Sequence, residues 1–166
     1  LFKTEILNNK NLNIDLIINS KKISQFNNFI NVLLNFKIQE GLIDIDNTKF
    51  SWDKYVDFKI SDSLLYLNNN NLILGGKLEA NIKNYKEIYK FLQVSKNLRP
   101  KINKFEFHFN YNFDQQIIDL NTIKVNDRIS EKINNSLEKI ILRKNKLQNK
   151  IYFKNIMKQA IEAYVG

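Results

Sequence analysis

The stretch KFEFHFNYNF, residues 104 to 113, has an aromatic side chain at every second position and polar or charged residues between them. A β-strand sends successive side chains to opposite faces of a sheet, whereas a helix would scatter such an alternation around its axis. We therefore predict a half-buried strand here. One face carries the aromatic residues Phe105, Phe107, Phe109, Tyr111 and Phe113.

Four further runs alternate in the same way, at residues 12–18, 32–38, 56–60 and 72–82. Short segments at residues 8–11, 40–41 and 68–71 separate them and are rich in Asn and Gly, which accept the positive φ of tight turns. Parallel strands would need crossovers of a dozen residues or more, and residues 30–82 leave no room for a helical one. The sequence thus predicts a mainly β protein built as an elongated antiparallel meander, or β-groove.

Helical patterns interrupt and follow the strands. Asn84 with Glu87 three positions later resembles a capping box and predicts a short inserted helix. After Asp127, which we predict to be an N-cap, the apolar period changes from two to 3.6. Two stripes then predict two C-terminal amphipathic helices, the first with Ile129, Ile133, Leu137, Ile140 and Ile141, the second with Phe153, Met157, Ala160, Ile161 and Tyr164. This divides the chain into an antiparallel sheet, residues 1–127, and a helical extension, residues 128–166.

Charge and composition narrow the function classes. The 166 residues can bury a sizeable core, and the absence of Cys excludes disulfides and thiolate metal sites. The net charge is +9, and residues 128–166 hold 9 basic but only 3 acidic residues. We expect the Lys side chains of the two C-terminal helices to stay in solvent, namely Lys132, Lys139, Lys144, Lys150, Lys154 and Lys158.

Candidate chemical groups are few. His108 is the only histidine and falls on the polar face of its strand, so we expect it in solvent and not in a catalytic site. The run from Asp44 to Asn47 begins like a calcium loop but lacks the required glycine and closing glutamate. Gly75-Gly76 lies inside an alternating strand, which favours a bulge or close contact over a phosphate loop. We expect no catalytic residue, no cofactor and no metal.

The aromatic face leaves several possibilities open. It could stack nucleic-acid bases, although only three Arg occur and no basic pattern accompanies the aromatics. It could be a core sealed by the sheet or by the C-terminal helices, which would make this a structural or protein-binding β-domain. It could also receive an apolar ligand, because one short inserted helix cannot cover six or seven one-sided strands.

The sequence resembles the C-terminal region of AsmA-like envelope proteins over about residues 30–127. Residues 41–48, GLIDIDNT, match the family pattern G-x-x-x-[ILV]-x-[ND]-T, and residues 72–78, LILGGKL, match L-x-L-x-G-x-[LIV]. This family is related to bridge-like lipid transfer proteins. The resemblance implies a non-enzymatic, membrane-tethered protein on the periplasmic side of the bacterial inner membrane, acting in lipid transport or outer-membrane homeostasis. The family's N-terminal membrane anchor is missing, which suggests a fragment beginning at Leu1, and no family motif covers residues 128–166.

The resemblance also implies that the apolar sheet face shelters phospholipid acyl chains, with Lys side chains at the rim pairing with phosphate. We expect no nucleic-acid partner. The lipid-facing residues would be Val32, Leu34, Phe36, Val56, Phe58, Ile60, Leu72, Leu74, Leu78, Phe105, Phe107, Phe109, Tyr111 and Phe113.

Overall fold

The computed structural model describes residues 9–23, 26–137, 142–143 and 149–165. It is mainly β, with 54% strand and 23% helix, and its strands form one antiparallel sheet. The predicted fold class is confirmed. The strands are β1 (Ile14–Ile23), β2 (Phe26–Gln39), β3 (Leu42–Asp44), β4 (Lys49–Trp52), β5 (Val56–Asn68), β6 (Asn71–Ile82), β7 (Lys104–Asn112), β8 (Ile117–Val125), β9 (Arg128–Ile129) and β10 (Leu142–Arg143).

The sheet is a meander in which strands that follow each other in the chain lie side by side. Its order is β1-β2-β3-β5-β6-β7-β8-β10; β4 also lies between β2 and β5, and β9 pairs with β8. Strands β3 and β4 therefore act as one strand that is interrupted at residues 45–48.

The helices are α1 (Tyr85–Leu92), α2 (Glu131–Leu137) and α3 (Lys150–Val165), with a short 3₁₀ helix at Lys96–Leu98. The predicted cap of α1 is confirmed, because the Asn84 side chain accepts a hydrogen bond from the Glu87 N–H at 3.3 Å. Even so, strands β6 and β7 on either side of α1 remain direct neighbours in the sheet.

The start of the C-terminal helical region differs from the prediction. Asn126 and Asp127 both have positive φ and form the two-residue turn that joins β8 to β9, so Asp127 is not an N-cap. Ile129 lies in β9, and the Ser130 hydroxyl accepts the Ile133 N–H at the start of α2. Of the predicted stripe and basic residues, Lys139, Ile140, Ile141 and Lys144 and the side chains of Lys150 and Phe153 lie outside the described part of the chain.

The strand register gathers the predicted apolar residues on one face. Phe58 pairs with Ala80, which pairs with Phe105. One step along, Ile60 is opposite Leu78, and Leu78 is opposite Phe107. Directly opposed residues share a face, so Phe58 and Phe107 lie on the same side of the sheet, as the alternation predicted.

The helices cover one half of this apolar face. Val56, Ala80 and Val125 of the sheet are 4%, 5% and 1% exposed, and they belong to one buried cluster with Ile133 of α2 and Ile161 of α3. Trp52 contacts Phe91 of α1 in a T-shaped pair at 4.7 Å. Residues beyond position 127 thus contribute both to this core and, through β9 and β10, to the sheet.

A polar network fills the interruption between β3 and β4. The Asp46 carboxylate accepts hydrogen bonds from the Ser63 N–H at 2.7 Å and from its hydroxyl at 2.6 Å. The Ser63 oxygen in turn accepts the Ile45 N–H, and Thr48 accepts the Asn35 N–H at 3.1 Å. These bonds replace ladder bonds that the broken strand cannot make, which gives the Ile-Asp-Asn-Thr motif a structural role.

Gly76 explains the missing side chain in the alternation of β6. A Cβ at this position would lie 3.1 Å from the Phe109 ring and 3.2 Å from the Ser63 Cβ. The glycine therefore permits close packing of an aromatic ring across the strand, as the close-contact interpretation predicted.

We predict that Gly76→Ala lowers the free energy of unfolding by about 1 to 3 kcal/mol through overpacking. Gly75→Ala is the control, because its nearest atom would be the movable end of the Asn110 side chain. In a Phe109→Leu background the cost of Gly76→Ala should shrink. Urea denaturation of Gly76→Ala, Gly75→Ala, Phe109→Leu and the Gly76→Ala/Phe109→Leu double variant measures these losses of stability. If Gly76→Ala costs as much in the Phe109→Leu background as in the wild type, the ring-contact explanation is contradicted.

Candidate functional site

The apolar face is open at the end of the sheet that lies away from the helices. The turns at residues 39–42, 68–71 and 113–116 lie at this end, because they join the corresponding ends of the antiparallel strands, and the turn at residues 9–12 precedes β1 at the same end. An open apolar groove of about 320 Å³ lies there. Its lining is Phe36, Ile43, Ile45, Leu65, Leu72, Leu74 and Phe113.

An unbroken row of apolar side chains crosses the sheet; its middle forms the groove floor, and its last residues belong to the helix-covered cluster. Register places one apolar residue from each successive strand in this row: Ile14, Ile38, Ile43, Leu65, Leu74, Tyr111, Ile118 and Leu142. Ile43 is 1% exposed and forms the centre of a small core with Ile38 and Leu65. In contrast, Phe113 at the groove wall is 42% exposed.

The predicted lipid-facing residues divide between the two halves of the face. Val56, Phe58, Phe105 and Phe107 are in or against the helix-covered cluster. Four others line the open groove, namely Phe36, Leu72, Leu74 and Phe113. The remaining six share the same face by register and alternation, namely Val32, Leu34, Ile60, Leu78, Phe109 and Tyr111.

Ile43, Ile45 and Leu65 also line the groove but were not predicted from the sequence. Alternation from Val56 through Ile60 would place Leu64 on the apolar face, but a register shift between Ser61 and Leu64 puts Leu65 there instead. Asp62, inside the shift, has a φ of 52°. A β-bulge of this kind changes which residues face the core, and a period-two pattern carries no signal for it.

The rim of the groove is nearly neutral. The four turns at this end carry Lys10 together with the carboxylates Glu40 and Asp114, and the exposed Arg143 of β10 lies at the same end. The Asp114 carboxylate accepts the Leu72 N–H at 2.7 Å. The expected cluster of lysines beside a phosphate is therefore not found among the described residues of these turns, and carboxamide side chains predominate instead.

The opposite face of the sheet is polar and carries an ion-pair ladder. The Lys104 ammonium lies 3.0 Å from Glu79, 3.7 Å from Glu106 and 3.0 Å from Asp127. Glu106 also pairs with Lys124 at 2.8 Å and is only 8% exposed. The hydrogen bond from Lys124 lowers the pKa of Glu106 against the opposing effect of burial.

His108 lies on this polar face and is exposed, as predicted. Its cross-strand neighbours are Lys77 and Asn121, which provide neither a carboxylate to orient the ring nor a nucleophile. In the described ranges, no group of three His, Asp or Glu side chains is placed to hold a metal ion. The helices of the described chain are too short or too polar to cross a membrane.

Comparisons with protein-family models, with curated proteins and with solved structures give no match to this chain.

We predict that Glu106 makes stability depend on acid pH. Its pKa is lowered in the folded state, so its contribution is complete above the unfolded value of about 4.3 and is lost as pH falls through the lower folded value. Unfolding free energies between pH 2.5 and 7 should therefore decrease less steeply in acid for Glu106→Gln than for the wild type.

His108→Ala is the control and should leave the same curve nearly unchanged, because the ring is solvent-exposed. A wild-type acid slope in Glu106→Gln would show that the ladder does not carry this dependence.

Proposed function

We propose that this protein binds lipid acyl chains without catalysis, in the open half of its apolar face. The observation that carries the proposal is the groove lined by seven apolar residues beside a helix-covered core. Each methylene moved from water into such a groove gains about 0.8 kcal/mol. A chain can therefore be held by burial alone, with no polar recognition site.

The two halves of the face have different roles in this proposal. The helix-covered half, with Phe105 and Phe107, stabilises the fold, while the open half, with Leu74 and Phe113, holds the ligand. A sealed structural or protein-binding domain is the competing function, and the covered half supports it. The open half favours lipid binding because its apolar surface has no covering element among the described residues.

The cellular setting follows only from the resemblance of residues 41–48 and 72–78 to AsmA-like proteins. In this wider proposal the chain is part of a membrane-tethered protein on the periplasmic side of the inner membrane. Its groove would shelter acyl chains during lipid transport between membranes. The row of apolar side chains supports this, because it extends the apolar surface beyond the groove floor on both sides.

We predict that Phe113→Ser reduces the amount of lipid that co-purifies with the protein after expression in bacteria. Leu64→Ser is the matched control: Leu64 is 39% exposed, against 42% for Phe113, but register places it on the opposite face. Both substitutions should cost no more than about 1 to 2 kcal/mol of stability, because both side chains are partly in solvent already.

Native mass spectrometry gives the lipid-to-protein ratio, and urea denaturation of the same preparations gives the stability. The proposal requires a lower ratio in Phe113→Ser only. Absence of lipid from the wild type, together with no binding of added lipid, would favour the structural domain.

A further inference from the structure

We propose that β1 is an interface at which two copies of this chain pair edge to edge, as an antiparallel dimer with one continuous sheet. Two observations carry this inference, and neither depends on lipid binding. The first is the exposure of the whole edge strand, and the second is the way in which its side chains complement those of an identical strand.

Strand β1 lies at one edge of the sheet and is exposed along its whole length. It pairs with β2 on one side, and in the described part of the chain no strand pairs with its other side. All ten of its residues are exposed. Leu16 and Ile18 are 46% and 45% exposed on the apolar face, and Ile17 is 60% exposed on the polar face. Such a strand offers backbone N–H and C=O groups and apolar flanks to another strand.

The opposite edge of the sheet offers no comparable surface. Strand β10 has only two residues there, and its Leu142 is buried in one cluster with Ile133 of α2. In contrast, β1 contains neither Pro nor Gly, and its only cations are Lys21 and Lys22. Lysines on an edge strand oppose pairing with other strands, so a partner of β1 must place favourable groups opposite them.

A second copy of β1 meets this requirement in one register. In an antiparallel pair with Ile18 on the two-fold axis, Asp15 lies opposite Lys21 of the second copy, and symmetry repeats this charge pair. The two Ile18 side chains meet on the apolar face. Lys22 lies opposite Ile14 and can place its aliphatic stem over that side chain while its ammonium stays in water.

Neighbouring registers lack this complementarity. Directly opposed residues of a continuous sheet share a face, so the nearest alternatives place the two-fold axis one residue earlier or later. An axis at Asn19 sets Ile17 opposite Lys21, and an axis at Ile17 sets Asp15 opposite Asn19. Only the register centred on Ile18 opposes both sets of charges.

The existing sheet already prepares both faces for this pairing. On the polar face, register aligns Asp44 of β3, Lys37 of β2 and Asp15 of β1, so charges of alternating sign end at the exposed edge. Lys21 of the second copy would continue that alternation. On the apolar face Ile18 lies opposite Leu34, so the dimer would join Leu34 and Ile18 of both copies in one apolar row.

The first test is sedimentation equilibrium of the full, delipidated chain at roughly 5 to 500 µM protein. We expect a reversible equilibrium between monomer and dimer that stops at two copies, because an antiparallel two-fold contact is closed. Ile18→Lys removes an apolar contact and sets two like charges on the axis, so it should weaken the dimer at least about tenfold. Ile151→Lys is the matched control, because Ile151 is 72% exposed on α3 and should not affect association.

Three results of this experiment overturn the proposal. One is a monomer at every concentration, and another is growth beyond two copies. The third is a dimer that survives Ile18→Lys but is lost in Phe113→Ser, because that dimer would be held through the groove.

The second test addresses the register through charge exchange. Asp15→Lys and Lys21→Asp each set like charges opposite each other in a homodimer, so each variant alone should associate at least about tenfold more weakly than the wild type. In an equimolar mixture the two introduced charges face each other, and native Lys21 of one copy faces native Asp15 of the other. The mixture should therefore form a one-to-one heterodimer with an affinity near that of the wild type.

Circular dichroism checks that both variants are folded, because Asp15 also lies opposite Lys37 in its own sheet. A mixture that associates no more tightly than the separate variants overturns the Ile18-centred register.

Discussion

The row of apolar side chains that crosses the sheet holds the rest of the structure in register. Ile43 pairs with Ile38 on one side and with Leu65 on the other, so the three-residue strand β3 links the two halves of the meander. A slip of one residue at this point would turn every apolar side chain of a strand into solvent. Burial of Ile43 at 1% exposure therefore fixes the pairing that both the core and the groove require.

The polar network at residues 45–48, between β3 and β4, lies beside this row and also helps to fix the strand register. Asp46 ties Ser63 of β5 to the gap between β3 and β4 through two hydrogen bonds. Ser63 sits at the bulge where the register of β5 against β6 shifts, and the shift places Leu65 over the groove. An unsatisfied polar group here would cost about 1 to 3 kcal/mol, so the network and the groove floor are energetically linked.

The two faces of the sheet have different roles. One face carries the paired charges, so the other is apolar and available for packing and ligand binding. The charges of Lys104, Glu106 and Lys124 are paired with one another on the other face, where water can still reach the lysines. On the apolar face the helices supply what the sheet lacks, a second layer, over the part that contains Val56 and Leu142. The uncovered half remains concave and apolar, which is the physical basis of the proposed function.

Much of this could be predicted from local patterns. Strict alternation at Phe105 to Phe113 predicted both the strand and its apolar face, because side-chain direction in a strand depends only on position. The Asn84 cap and the exposure of His108 were equally local. Two features could not be predicted from local patterns. Asp127 resembles an N-cap in sequence, but it forms a hairpin turn because the next two residues pair with β8. Leu65 faces the groove because of a bulge.

The sequence by itself therefore determined the antiparallel meander that β1, β2, β5, β6 and β7 belong to, and the existence of a shared apolar face. Only the tertiary structure decided which half of that face the helices bury and which half stays open. It also decided that Asn-rich turns from distant parts of the chain meet at the open end. These features depend on contacts between residues such as Trp52 and Phe91, far apart in sequence, whose energies no local periodicity encodes.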